Sequence, residues 1–184
     1  KALKEIVMSC KHSPRADNLM IRLVSFNHDV VEEHGFKLLS QCNPDDYVGL
    51  LQCGGQTALF DSSYKAIEVL KAEAKRLSDA NYDVNAVAFV ITDGEDNQVK
   101  QSIADAMKSE SLKSLVTVLI GVGADPGISS YLQAFKDDAG FTQFVNVGDA
   151  TAKNLAKLAQ FVSKSISASS TSLGTGNAPA SLSF

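Results

Sequence analysis

Two polar residues stand where this chain could bind a ligand. Asp93 closes the apolar run of residues 87–92, and Thr57 follows Gly54-Gly55-Gln56 where a long helical pattern begins. In open α/β sheets the ligand crevice lies beyond the carboxyl ends of the strands, so a carboxylate at such an end is a candidate binding group. A threonine at the start of a helix can equally act as its cap, which leaves two interpretations of Thr57 open.

The glycine loop also allows a nucleotide interpretation, with Gly54-Gly55-Gln56-Thr57 holding a phosphate at a helix amino end. The loop lacks the lysine of a P-loop and the three-glycine spacing of a dinucleotide fingerprint. The chain has no Gly-x-Ser-x-Gly motif and no histidine at a predicted strand end, so nothing supports nucleophilic catalysis. We therefore expect that the protein is not an enzyme, and a nucleotide or phosphate-ester enzyme is the least favoured alternative.

Apolar runs typical of buried strands alternate with apolar stripes at helical spacing. The runs cover residues 19–26, 87–92, 115–122 and 141–147, and the stripes cover residues 3–10, 60–77, 99–107, 128–139 and 155–166. This alternation predicts an α/β domain with a three-layer, doubly wound, mainly parallel sheet and helices on both faces. Residues 30–39, interrupted at Gly35, favour an antiparallel edge strand or two.

Composition limits the possible partners and compartment. The net charge of −4 offers no basic surface for nucleic acid or an anionic membrane, and no apolar run is long enough to span a bilayer. Cys10, Cys42 and Cys53 are odd in number and lack metal-type spacing, which favours free thiols and a cytoplasmic location. We expect one domain over residues 1–167, followed by a Ser/Thr/Gly-rich tail over residues 168–184 that could support oligomer contacts.

The first helical stripe has a strand after it but none before it. A helix that crosses between parallel strands needs a strand on each side. Either the domain begins with a helix, or, as we expect, a native strand precedes Lys1.

Two short motifs carry a resemblance to a known family. Gly-Gly-Gln-Thr57-Ala-Leu and Val-Ile-Thr-Asp93-Gly, in this order and with matching helices, resemble the von Willebrand factor A domain over about residues 1–167. The resemblance implies a metal-ion-dependent adhesion site in which Thr57 and Asp93 bind a divalent cation. Mg²⁺ is the expected ion, with Mn²⁺ or Ca²⁺ possible, because such ions prefer hard oxygen ligands.

The family also supplies ligands from an Asp-x-Ser-x-Ser motif after its first strand, and this chain contains no such motif. In the family that strand lies at the centre of the sheet, between the strands that correspond to residues 19–26 and 86–92. Without it both neighbours would expose unpaired backbone. We therefore expect an upstream segment or a separate chain to supply the missing strand.

The function implied by the resemblance is that of a non-enzymatic protein-binding module. A cation held by few protein charges would capture an aspartate or glutamate side chain of a partner protein. Cytoplasmic bacterial and phage proteins, as well as extracellular adhesion proteins, use this family's domain. The alternative from a different class is a structural or assembly protein with an inactive metal site, whose Ser-rich tail mediates contacts.

Overall fold

The protein is described by a computed structural model that covers residues 2–27, 29–50, 59–94, 114–175 and 184. Four helices are present in this part of the chain: α1 (Ala2–Lys11), α2 (Leu59–Asp79), α3 (Pro126–Ala139) and α4 (Ala152–Thr175). Five strands accompany them: β1 (Met20–Phe26), β2 (Val30–Leu38), β3 (Asn85–Thr92), β4 (Ser114–Gly121) and β5 (Gln143–Asn146). Short 3₁₀ turns cover Ala16–Asn18, Leu39–Gln41 and Pro44–Tyr47.

The strands form two separate sheets. Three of them build a parallel sheet in the order β3-β4-β5, and the other two form an antiparallel hairpin, β1-β2. The hairpin register runs from Met20 opposite Leu38 to Phe26 opposite Val30, with irregularities near Leu23. The described chain is therefore a mixed α/β protein with a three-stranded parallel sheet, a two-stranded antiparallel sheet and helices.

β4 is the centre of the parallel sheet, and alternate residues along it face opposite sides. Val118 and Ile120 pack into one hydrophobic cluster, while Leu119 packs into another. The α1/α4 cluster also contains buried residues of two helices, among them Val7, Cys10, Leu158 and Val162. The α2/α3 cluster contains the buried residues Leu59, Ile67, Val90, Leu119, Leu132, Phe135, Ala139 and Phe141. An apolar strand with no solvated face is what such packing on both sides requires.

Helix α3 has the boundaries that its local sequence dictates. The Asp125 side chain accepts hydrogen bonds from the backbone N–H groups of Gly127 and Ile128, at 2.8 and 2.9 Å, and Pro126 occupies the first turn. The helix ends at Gly140, whose φ of 78° lies in the left-handed region. Both ends of the helix are thus determined by residues adjacent to it in the sequence.

Helix α4 is longer than its apolar stripe. It continues past Ser167, the last residue of the expected domain, to Thr175. The Asn85 amide nitrogen of β3 donates to the Ser169 carbonyl at 2.8 Å and contacts the Ser172 hydroxyl at 3.1 Å, which ties this part of α4 to the sheet. Phe184 lies with its ring centroid 5.9 Å from that of Phe161. The chain end thus contacts α4, although the boundary between residues 167 and 168 stays a prediction.

The sequence predicts a strand or a helix at the position of each β-strand and α-helix that the structure describes. The antiparallel segment is a single strand, β2, which passes through Gly35 without interruption. The helix expected over residues 99–107 lies outside the described residues. Among the helices that the structure describes, none is long and apolar enough to cross a membrane.

Leu119 is the most direct test of this core because its side chain is fully buried, at 0% exposure, in the central strand. We expect Leu119→Ala to lower the free energy of unfolding by about 2–5 kcal/mol, through lost burial and a residual cavity. The matched control is Val31→Ala on β2, where the side chain is 51% exposed and the expected loss is below about 1 kcal/mol. Urea denaturation measures both, and equal losses would contradict the assignment of β4 to the core.

Candidate functional site

The parallel register brings the carboxyl ends of three strands to one edge. Thr92 of β3 stands opposite Gly121 of β4, which in turn stands opposite Asn146 of β5. Two further backbone bonds extend this alignment, from Val122 N to Thr92 O and from Val147 N to Gly121 O, both at 2.9 Å. Residues that follow these strands therefore share one edge, which we call the carboxyl edge.

Asp93 is the first residue beyond β3 at the carboxyl edge, and it is exposed. Thr92 before it is buried, and its hydroxyl donates to the Gly94 carbonyl at 3.2 Å and accepts from the Gly94 N–H at 3.3 Å. This small turn anchors the backbone on both sides of Asp93. Within the described ranges no hydrogen bond or ion pair engages the Asp93 carboxylate. No described donor therefore competes with a ligand for its oxygens.

Two other polar side chains of the carboxyl edge are committed to local structure. Asp125 caps α3, and the Asn146 amide bridges the Ser129 hydroxyl at 3.0 Å and the Gly148 N–H at 2.8 Å. The backbone N–H of Gly123 bonds to the Gly148 carbonyl, which closes the two loops on each other. Asp93 differs from Asp125 and Asn146, because the side-chain acceptors of those two residues already have donors.

Gly121 sets how closely α3 approaches the carboxyl edge. A Cβ at this position would lie 3.0 Å from Leu132 Cδ1, 3.4 Å from Phe144 Cε2 and 3.5 Å from Ala124 Cβ. The side chains of Leu132 and Phe144 therefore pack closely on the backbone of β4, and a Cβ at this position would require the Leu132 side chain to shift.

Thr57, the second expected ligand, lies outside the described residues, as does the glycine loop before it. The first described residue of α2, Leu59, is fully buried in the α2/α3 cluster that also contains Val90 of β3. The structure thus does not test whether Thr57 and Asp93 come together. Among the described side chains no group of three or more His, Cys, Asp or Glu residues could hold a metal ion.

The donor chemistry of the expected pair nevertheless fits a hard cation. A carboxylate without a partner among the described residues and a hydroxyl are both oxygen donors, and Mg²⁺ retains several waters when few protein ligands are present. Asp93 would hold the ion, and Thr57 is its expected companion. The soft or nitrogen-rich sets that zinc and copper prefer have no counterpart around Asp93 in the described chain.

A second polar cluster, which the sequence did not reveal, lies at the other sheet. The Nε2 of His34 on β2 lies 2.8 Å from the Tyr47 hydroxyl, and its Nδ1 lies 2.9 Å from the Gly35 carbonyl. Burial raises the pKa of Tyr47, and its hydrogen bond to Cys42 adds to this effect. The phenol therefore stays protonated, and its O–H can donate to Nε2. These contacts tie the 3₁₀ turn Pro44–Tyr47 to β2, which is a structural role.

The described thiols are also structural. Cys10 and Cys42 are free and buried, and burial raises the pKa of Cys10 to about 11. A protonated, inaccessible thiol is a poor nucleophile and a poor metal ligand. Cys53 lies outside the described residues.

A cleft of about 380 Å³ lies away from Asp93, between the end of α1 and the middle of α4. Its lining consists of Ser9, His12, Ser13, Pro14, Ser163, Lys164 and Ser167. It is a shallow surface feature, and none of its residues belongs to the carboxyl edge.

A comparison of the chain with models of known protein families gives no match, and a comparison with curated proteins gives none either. The likeness to the von Willebrand factor A domain therefore rests on the two motifs around Thr57 and Asp93 and remains a proposal.

Because the Asp93 carboxylate has no described partner, its removal should hardly affect stability when no cation is present. We expect Asp93→Ala in EDTA to change the free energy of unfolding by less than about 0.5 kcal/mol, because no described partner is lost. Asp125→Ala at the same edge should cost about 1 kcal/mol, because two backbone donors lose their cap. Urea denaturation of both variants measures the difference, and a larger loss for Asp93→Ala would show that its carboxylate already has a structural role.

Proposed function

We propose that this protein is a binding module that uses a divalent cation at the carboxyl edge to capture an acidic side chain of a partner protein. The observation that carries the proposal is Asp93: an exposed carboxylate at the carboxyl end of a parallel strand, without a described partner, between residues whose backbone is anchored. Ligands of open α/β sheets bind in the crevice beyond the carboxyl ends of the strands, which is where this carboxylate lies.

The proposed fold is the doubly wound von Willebrand factor A domain. Its support is the parallel order β3-β4-β5, the antiparallel hairpin and the presence of hydrophobic clusters on both faces of β4. The motifs that surround Thr57 and Asp93 supply the rest of the argument. Helix-covered parallel sheets occur in many unrelated families, so the sheet alone would not distinguish them.

The proposed binding mechanism follows from the charge of the site. Asp93 contributes one formal negative charge and Thr57 none, so a divalent cation held by this pair keeps a net positive charge. A partner carboxylate can then replace a bound water and complete the coordination. The interaction is strong only when the cation is present, which makes binding switchable by its concentration.

The free thiols of Cys10 and Cys42 support a reducing, cytoplasmic compartment as part of the same proposal.

The alternative function is that of a structural or assembly protein with an inactive metal site. Phe184 contacts Phe161 of α4, and this contact favours the structural alternative because it shows that residue 184 can pack against a helix. The two functions differ in whether cations bind at all.

Cation binding is tested by thermal stability. A ligand that binds only the folded state stabilises it by about RT ln(1 + [L]/Kd), or about 2.7 kcal/mol at 100 times Kd. For a chain of this size that corresponds to a rise in melting temperature of roughly 5–10 °C in saturating Mg²⁺ or Mn²⁺. We expect Asp93→Ala to abolish the rise and Thr57→Ala to reduce it, as measured by differential scanning calorimetry.

The matched control for this experiment is Asp138→Asn, which removes the same charge from an exposed residue of α3. It should leave the cation-dependent rise unchanged. If Mg²⁺ and Mn²⁺ have no effect on the parent protein, the structural alternative is favoured. If the rise survives Asp93→Ala, the ion binds elsewhere.

Capture of a carboxylate is tested separately with Mn²⁺, whose bound waters relax the solvent protons. We expect the blocked peptide acetyl-Gly-Asp-Gly-amide at millimolar concentration to lower the water-proton relaxation rate of the Mn²⁺ protein, because its side-chain carboxylate replaces a bound water. Acetyl-Gly-Asn-Gly-amide has the same size and no carboxylate, so it should have little effect. Equal effects of the two peptides would exclude a preference for acidic side chains.

A further inference from the structure

The cleft between helices α1 and α4 gathers hydrogen-bond donors that have no described acceptor. The end of α1 and the middle of α4 form its walls, and its volume is about 380 Å³. The two helices pack against each other, and the buried side chains of Val7, Cys10 and Val162 lie in the α1/α4 cluster beneath. We call this space, which is lined by residues 9, 12–14, 163, 164 and 167, the α1/α4 cleft.

The backbone carbonyls at the end of α1 already have donors. The backbone N–H of His12 donates to the Ser9 carbonyl at 3.2 Å, and that of Ser13 donates to the Cys10 carbonyl at 3.0 Å. The Nδ1 atom of His12 lies 2.7 Å from the Met8 carbonyl. A carbonyl can only accept, so Nδ1 carries the hydrogen. These donors partly offset the negative charge that the carbonyl end of a helix normally presents.

Three serine hydroxyls of the α1/α4 cleft keep a hydrogen that no described acceptor receives. They belong to Ser9, Ser13 and Ser167, which are all half-buried. The Ser13 oxygen accepts from a backbone N–H at 3.3 Å, which leaves its own hydrogen free to donate. Ser163 differs from these three, because its hydroxyl donates to the Ala159 carbonyl at 2.8 Å.

The charge of the cleft is positive. The Lys164 side chain is exposed and forms no ion pair with the described residues, and none of the described lining residues is an aspartate or glutamate. The Nε2 atom of His12 has no described partner and becomes a donor when the ring is protonated. The chain as a whole carries 21 acidic and 17 basic residues, so this is a local positive site and not part of a basic surface.

The donor set fits an anion with several oxygens. Ser9 and Ser13 are four residues apart at the end of α1, and Lys164 and Ser167 are about one turn apart on α4. A phosphate monoester presents three strong acceptor oxygens and close to two negative charges at neutral pH. A carboxylate presents two oxygens and a single charge, so it would leave more of these donors without an acceptor.

The size of the cleft favours a small molecule. Its volume of about 380 Å³ lies at the lower end of the range of about 300–1,000 Å³ that is usual for small-molecule sites. A bare phosphate ion would leave part of this space to water, whereas an ester group can contact Pro14. Nucleic acid or an anionic membrane would need a broad basic surface, which a net charge of −4 does not provide.

We propose that the α1/α4 cleft binds the phosphate group of a small phosphate monoester. Lys164 supplies the positive charge, and the hydroxyls of Ser9, Ser13 and Ser167 donate to the phosphate oxygens. The ester group lies against Pro14. This inference does not rest on the proposed cation site, which belongs to the carboxyl edge.

Binding is tested by titrating phenyl phosphate with the protein and recording ³¹P NMR spectra, at about 0.15 M salt to screen nonspecific attraction. A chelating resin first removes divalent cations, so a cation at Asp93 cannot recruit the phosphate. We expect saturable line broadening, and amide shifts at Ser9, Ser13 and Ser167 but not at Gly94. No saturable binding, or shifts that leave the cleft unaffected, would overturn the proposal.

The donors are tested by three variants of the walls. We expect Lys164→Gln to weaken binding about tenfold, because a charged donor is lost, and Ser167→Ala to weaken it about fivefold. The matched control is Ser163→Ala on the same helix, which should change binding less than about twofold because that hydroxyl already donates to Ala159. All three replacements are good helix formers, so α4 is retained. Equal losses for Ser163→Ala and Ser167→Ala would contradict the assigned donors.

Inorganic phosphate and acetate identify the chemistry of the ligand in the same assay. We expect inorganic phosphate to bind several-fold more weakly than phenyl phosphate, because it lacks the group that contacts Pro14. Acetate should be the weakest competitor, because it has fewer oxygens and less charge. Inorganic phosphate that binds as tightly as phenyl phosphate would overturn the monoester assignment, and acetate that competes as well as phosphate would overturn the preference for phosphate.

Discussion

The parallel ladder of β3, β4 and β5 is the constraint on which the rest of the structure depends. Its register, with Thr92, Gly121 and Asn146 side by side, defines the carboxyl edge and therefore the location of Asp93. Backbone groups that leave water must be paired, and in this register residues 118–121 of β4 are paired from both sides. The helices then follow, because each face of β4 presents an apolar surface that must be covered.

Features encoded by short stretches of sequence could be predicted, whereas features that depend on distant residues could not. The limits of α3 follow from Asp125-Pro126 and Gly140, which act locally. The start of β5 could not be placed, because Thr142 exchanges hydrogen bonds with Thr117 and Phe141 packs against Phe135. These contacts shorten the strand to Gln143–Asn146. The pairing of His34 with Tyr47 depends equally on how a 3₁₀ turn docks against β2.

The candidate site shows the same difference between features encoded locally and features that depend on distant residues. The exposed position of Asp93 after a buried strand could be predicted from the apolar run and the acid that ends it. Its relation to Thr57 could not be derived, because a glycine loop has no periodic pattern that fixes its path. The described β1 and β3 do not pair, and whether a further strand lies between them stays a prediction. The unsatisfied Arg22 Nε and Ser63 hydroxyl became evident only from the structure.

The separation of the hairpin from the parallel sheet also has a kinetic consequence. β1 and β2 are joined by a short turn after Phe26, so they can pair within microseconds without help from the rest of the chain. The parallel sheet must wait for contacts between segments far apart in sequence, which close slowly. Within the described chain no strand ladder joins the two sheets, and side chains of β1 and β3 meet in shared hydrophobic clusters instead. The hairpin can therefore form before the parallel ladder closes, and its attachment to the sheet then depends on side-chain packing rather than on backbone hydrogen bonds.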